Sequence, residues 1–210
     1  MAEEDPYQIK TIEELRQHYD MPGEMVTKTK FDFLDDYAIS YIRLTPLVCI
    51  GTEMGEGLDV SPRGGEPGFV HVIDRRHLAI PDWPGNNKVE TMTNLVHSGR
   101  CGLLFLVPGM DLFLRVNGPA VITRDPALLA KMTERGKTPK SAIRVTTREV
   151  YFHCGKALKR SKIWEPESWP PRSAMPTAGK MILDQAKLAD TMTAEDIDAM
   201  YQKALKDDLY

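Results

Sequence analysis

The residues with the greatest capacity for chemistry lie between Asp59 and Asn94, in the run DVSPRGGEPGFVHVIDRRHLAIPDWPGNNKVETMTN. Within it, Pro84-Gly85-Asn86-Asn87-Lys88 brings backbone amides, two carboxamides and an ammonium to one place. Residues with helical spacing follow at once. A helix N-terminus offers unpaired N–H groups and the positive end of a dipole. With Lys88 in the first turn, the arrangement suits a phosphate. Arg63 can close on the same anion through a two-pronged guanidinium contact. The same residues also suit a plainer role, in which an asparagine caps the helix and Lys88 is solvated.

Other candidates carry less. His71 shares one face of a strand with Phe69 and Ile73 by alternation, where it could face a ligand or serve as a hydrogen-bonded structural histidine. Asp59 and Asp82 are turn carboxylates able to meet polar ligand atoms or to cap their own turns. His97 suits the C-terminal end of a helix dipole. The five histidines show no HExxH or other ligand spacing, so no metal site is expected. Neither G-x-S-x-G nor GxGxxG occurs. Cys49, Cys101 and Cys154 are odd in number and form no C-x-x-C pair, so buried reduced thiols are expected rather than a disulfide framework.

These groups need elements to hold them. Leu47–Gly51, Phe69–Ile73, His77–Pro81 and Gly102–Val107 read as strands, as does Leu112–Val116 with its continuation Ala120–Thr123. Ile143–Cys154 reads as one long final strand, which brings the count to six. Only Asp74, Arg75 and Arg76 separate the second and third strands, a spacing that suits a hairpin. The stretch around Arg63, ahead of that hairpin, reads as a polar turn. Helices are expected over Ile12–His18 with Thr11 as N-cap, over Leu34–Ile42, over Lys88–His97 capped by Asn86 or Asn87, over Pro126–Arg135 capped by Asp125, and from Lys180 onward. Ser98-Gly99 stops the third of these. The expected organisation is a helical arm over residues 1–42, a body over 43–165, and a proline-rich then helical extension over 166–210.

Composition sets the class. A chain of 210 residues, 42% hydrophobic and 27% charged, can bury a core as an ordinary soluble domain. A net charge of -3 gives no global field for nucleic acid or a membrane surface, so any anion site must be local. The polar start MAEEDPYQIK does not read as a signal peptide, and no apolar run approaches membrane-helix length, so a cytoplasmic location is expected.

The stretch Leu78–Phe105 resembles the FMN-binding core of the pyridoxamine 5′-phosphate oxidase family. Ile80 to Lys88 occupies the position of that family's aromatic-threonine-asparagine turn and its serine-arginine-lysine phosphate clamp. Lys88 matches the clamp lysine, and Asn86 and Asn87 replace the serine and arginine. The similarity is closer to an oxidase-related, FMN-binding subgroup. It is carried by Ser61-Pro62-Arg63-Gly64, Pro84-Gly85-Asn86-Asn87, Arg115-Val116-Asn117-Gly118, and the block from His153 to Ser161 containing Lys156-Ala157-Leu158. The resemblance implies a mainly β, α+β fold, a six-stranded antiparallel split β-barrel with peripheral helices. It implies a homodimer with FMN at the subunit interface. Ser61, Arg63, Phe69, Val70 and His71 would approach the cofactor from one side. Pro81, Asp82, Asn86, Asn87 and Lys88 would do so from the turn. Arg160, Lys162 and Trp164 would reach it across the interface. The implied activity is an FMN-dependent oxidoreduction in which the cofactor carries the chemistry. A non-catalytic flavin, deazaflavin or haem carrier is the alternative. The namesake reaction is not expected. The first hairpin strand, Gly68 to Asp74, lacks the family's basic ends, and the chain closes with Lys206-Asp207-Asp208-Leu209-Tyr210 in place of an arginine–histidine pair.

Overall fold

Alternating burial along largely apolar runs builds the sheet. In the computed structural model, which describes residues 5–55 and 57–210, strand β1 (Leu47–Met54) buries Val48 and Ile50 and leaves Cys49 and Gly51 half-covered. Strand β5 (Arg100–Leu106) repeats the pattern with Leu103 and Phe105 inward. The remaining strands are β2 (Gly57–Gly64), β3 (His71–Asp74), β4 (His77–Asp82), β6 (Leu112–Thr123), β7 (Ser141–Thr146) and β8 (Glu149–Cys154). They form one antiparallel sheet in the order β2-β1-β5-β6-β7-β4-β3, with β8 also paired to β6. Leu78 and Ile80 of β4 face the main core, while Ala79 joins Ala142, Leu128, Leu129 and Met132 in a second cluster. Burial on both faces explains why β4 reads as continuously apolar.

Two expectations about this sheet change. It has eight strands rather than six, and it is not closed. The extra strands have separate causes. The polar turn expected around Arg63 is instead strand β2, an edge strand exposed along most of its length, so it carries no apolar run. The single long strand expected over residues 143–154 breaks at Thr147-Arg148 into β7 and β8. There Thr147 N–H bonds to Arg76 O at 2.9 Å and Arg148 N–H to Asn117 O at 2.9 Å.

The break is matched by a change of partner in β6. Its first half pairs with β5 and β8, and its last residues, Ala120 to Thr123, pair with β7. Gly118 sits at the change. A Cβ there would lie 1.9 Å from the carbonyl oxygen of Thr146, so only glycine fits.

The chain divides into two compact units, one ending at Lys30 and the other Phe31–Tyr210. The first contains α1 (Ile12–His18), whose Thr11 cap accepts from Glu14 N–H at 3.1 Å, and α2 (Glu24–Lys28). Met1–Glu4 of the expected arm lie outside the described residues. In the second unit, α3 (Asp36–Leu44) and α4 (Glu90–Ser98) cover the core face of the sheet through Ala38, Ile42, Met92 and Leu95. Gly99, at φ 63°, ends α4 where Ser98-Gly99 was expected to. Helix α5 (Pro126–Ala130), capped by Asp125, is shorter than its expected span. Then follow α6 (Lys156–Ser161), α7 (Ala178–Ala186) and α8 (Ala194–Asp207), the last two packed on each other. No described helix is long and apolar enough to cross a membrane. Cys101 is buried, and burial pushes its thiol pKa up to about 12, whereas Cys154 is exposed.

Gly118→Ala is expected to lower stability by about 3 kcal/mol, as overpacking against a backbone carbonyl does. Gly85→Ala, where an added Cβ meets nothing within 4 Å, should stay within about 0.5 kcal/mol. Urea unfolding midpoints of the two variants check the contrast.

Candidate functional site

Strand pairing brings the candidate residues together. Pro81 and Asp82, at the end of β4, pair with Ala142 and Ser141 at the start of β7, and Thr123 pairs with Ala142 from β6. These strand ends, the end of β2 and the start of α4 enclose a cavity of about 900 Å³. Arg63, Pro81, Asp82, Asn86 and Asn87 all line it, together with Trp83, Val89, Arg124, Lys140 and Leu209. Its volume lies in the range of small-molecule and cofactor sites, roughly 300–1,000 Å³.

Arg63 is oriented by a chain of hydrogen bonds. Its Nη2 donates to Thr91 Oγ1 at 3.3 Å, and the Thr91 hydroxyl donates to Asp59 Oδ2 at 2.8 Å. Ser61 Oγ donates to the same carboxylate at 2.9 Å. Ser61 and Asp59 thus support Arg63 from behind, and neither lines the cavity. Thr91 is buried in the first turn of α4, so the helix start and the arginine are fixed relative to each other.

The expected asparagine cap on α4 is not made. Asn86 Oδ1 accepts from Lys88 N–H at 3.1 Å, a turn contact, and the N-cap position falls to Val89, which has no side-chain acceptor. The N–H groups at the start of α4 therefore carry no side-chain cap. Asn87 and Val89 both adopt left-handed backbone, at φ 57° and 51°. Asparagine tolerates this conformation, whereas a β-branched residue is strained in it, by about 1–3 kcal/mol. Lys88 is exposed beside the cavity and does not line it.

Two cations that sequence reading missed stand on the wall. Arg124 follows β6 and Lys140 precedes β7. In sequence, each is a basic residue beside a strand end, a pattern shared with any solvated loop. Asp82 lies in the field of Arg63 and Lys140. Burial is the largest influence on it and raises its pKa above the ordinary carboxylate value, with the two cations pulling the other way.

The other candidates lie elsewhere. Val70 is in the main core, and Phe69 packs against that core. His71 opens toward two smaller cavities with Lys131, and burial followed by the Lys131 charge lowers its pKa. Arg160 and Lys162 are exposed on and just after α6, and Trp164 Nε1 donates to Met110 O at 3.2 Å. None of these three lines the 900 Å³ cavity.

The outer face of the sheet is a second feature. Register places Val60, Gly51, Gly102 and Asn117 side by side across β2, β1, β5 and β6. The next row on that face holds Cys49, Leu104 and Arg115. Val60 is 71% exposed, and hollows of about 560 and 500 Å³ lie over this face.

The chain belongs to the pyridoxamine 5′-phosphate oxidase family, whose model matches residues 36–154. No curated protein matches it significantly. Among solved structures it is similar to HupZ from Group A Streptococcus, at 16% identity and TM-score 0.47, over 56% of this chain and 91% of that one. It is also similar to the FAD binding protein from Mycobacterium smegmatis, at 16% identity and TM-score 0.40, over 59% and 97%. A FAD-binding protein from Mesorhizobium loti gives 13% identity and TM-score 0.40, over 57% and 94%.

Asp82 makes the site's contribution to stability pH-dependent. Because its folded pKa is raised, the unfolded chain loses this proton first as pH climbs out of the ordinary carboxylate range. The folded state then binds more protons than the unfolded state, and stability falls across that window. Asp82→Asn is therefore expected to unfold at higher urea than the unaltered chain at neutral pH, the gap closing below the ordinary carboxylate range. Paired urea titrations across pH check the sign.

Proposed function

We propose that the chain is an FMN-binding flavoprotein of the oxidoreductase type, acting as a homodimer with the cofactor at the subunit interface. The observation that carries the cofactor reading is the convergence of Arg63, Arg124 and Lys140 with the uncapped start of α4 on one cavity. Three cations and free N–H groups match a phosphate dianion. The carboxamides of Asn86 and Asn87 and the carboxylate of Asp82 supply donors and acceptors for ribityl hydroxyls. In this reading the network from Asp59 through Thr91 holds Arg63 ready, so little side-chain ordering is left for the binding step. Family membership supports the same cofactor class, and two of the structural neighbours are named as FAD-binding proteins.

A bound flavin supplies hydride or electron transfer, and the protein's part is to bind, orient and shield it. Asp82 keeps a half-buried carboxyl beside that place, and the cations fix the phosphate end. The namesake oxidation of pyridoxamine phosphate is not proposed, because the first hairpin strand offers no basic ends.

The unpartnered outer face supports the dimer. It presents glycines and apolar side chains in register across β2, β1 and β5, a surface a second copy can cover. Arg160, Lys162 and Trp164 are the residues proposed to reach the other subunit's flavin.

Purified protein is expected to show flavin absorption bands, or to quench FMN fluorescence on titration. Absence of both signals would sink the cofactor reading. Arg63→Ala and Lys140→Ala should each weaken FMN binding by about 1.5–3 kcal/mol, with Lys88→Ala affecting it less. Reduction of the bound flavin by a nicotinamide nucleotide, with turnover of an acceptor, favours the enzyme. Tight binding without turnover favours a carrier. For the assembly, the unaltered chain should sediment as a dimer and Val60→Asp as a monomer. Identical sedimentation of the two would count against this face.

A further inference from the structure

The residues after α8 do not trail into solvent. Asp208 ends the helix with its N–H on Ala204 O at 3.1 Å, and the chain then lays Leu209 against the 900 Å³ cavity. Tyr210 packs edge-to-face on Trp83, with ring centroids 5.2 Å apart and planes at 77°. Trp83 and Leu209 both line the cavity, and Tyr210 backs this wall from outside through its contact with Trp83.

One tight turn receives Tyr210. Glu134 and Lys137 exchange both backbone hydrogen bonds, each at 2.9 Å, with Arg135 between them in left-handed backbone. All three polar side chains of this turn contact the tyrosine. Its hydroxyl donates to Glu134 Oε1 at 2.8 Å. The Arg135 guanidinium lies 4.9 Å from the ring centroid. Lys137 Nζ donates to the Tyr210 carbonyl oxygen. A turn whose three side chains converge on one aromatic residue is a built receptor for that residue.

The wall is also releasable. Its attachment is a set of side-chain contacts at the surface, each individually weak. No strand pairing holds the two residues, and Leu209 remains half-exposed. Moreover, Trp83 Nε1 is buried without a hydrogen-bond acceptor among the described residues. A buried unpaired N–H is destabilising, so the packed arrangement around this indole carries a cost. A closed state held by modest contacts and opposed by an unpaired polar group is poised between two positions.

We propose that Leu209 and Tyr210 form a latch on the cavity, closed on Trp83 and the Glu134–Lys137 turn, which opens for the ligand to enter and leave. The gating of a flavin rests on the proposed FMN reading, and the docking of the latch does not. Two measurements separate them. In a chain carrying Trp164→Phe and Trp169→Phe, Trp83 is the one remaining tryptophan of three, and acrylamide quenching reports its exposure. Tyr210→Ala should raise the quenching constant about threefold, with Tyr210→Phe between it and the unaltered residue. In chains keeping all three tryptophans, FMN association and release are followed by stopped-flow fluorescence. Tyr210→Ala should speed both about three- to tenfold, because a gate slows entry as well as exit. Unchanged quenching would overturn the latch. So would faster release with unchanged association, which would make Tyr210 a simple contact on the ligand. If the unaltered chain takes up no FMN, the flavin reading fails, and the quenching comparison alone decides whether the tail closes this wall.

Discussion

The structure turns on the close approach between Gly118 and the carbonyl of Thr146. β6 must serve two sets of neighbours, β5 and β8 along its first half and β7 along its last residues. Changing partners along one strand requires the backbone of the β7–β8 junction to press against it, and a side chain at position 118 would prevent this. The same junction is tied down by Arg148 N–H on Asn117 O and Thr147 N–H on Arg76 O. Without this change of partner, β7 and β4 would not continue the sheet from β6, and Asp82 would not share a cavity with Arg63.

The candidate site follows from that change of partner. Arg63 comes from an edge strand of one half, and Asp82 and Lys140 from strand ends of the other. The start of α4 closes the gap. Thr91 ties the start of α4 to β2 by accepting from Arg63 and donating to Asp59. A half-buried carboxylate between cations, beside an uncapped helix start and strained backbone at Val89, departs from what stability alone would select. Such departures concentrate at functional sites. Val89 in a left-handed conformation is the clearest case, because an asparagine or glycine would relieve it.

Much of the element list was legible in the sequence. The apolar runs of β1 and β5, the β3–β4 hairpin, and the Ser98-Gly99 stop of α4 all depend on local pattern and local turn chemistry. The errors have physical causes. β2 is an exposed edge strand, and exposure removes the apolar signal on which strand reading depends. The run over residues 143–154 stays β-like across Thr147-Arg148, so its break shows only in the partners that those two residues find. The cap on α4 passed to Val89 because the asparagines were drawn into the preceding turn.

By itself, the sequence determined the chain's class, its mostly antiparallel elements, and a polar turn at Pro84–Lys88. Each of these follows from residue type, spacing or a resemblance spread over ordered blocks. Tertiary structure decided which cations share the cavity. It added Arg124 and Lys140, and it left Lys88 beside the cavity wall. It also placed Ser61 behind Arg63, sent His71 to other cavities, and set Tyr210 against Trp83 across 127 positions of chain. Local pattern records which way a side chain alternates and whether a turn can form. It carries no information on which distant strand ends will be neighbours, because that depends on where β6 changes partners.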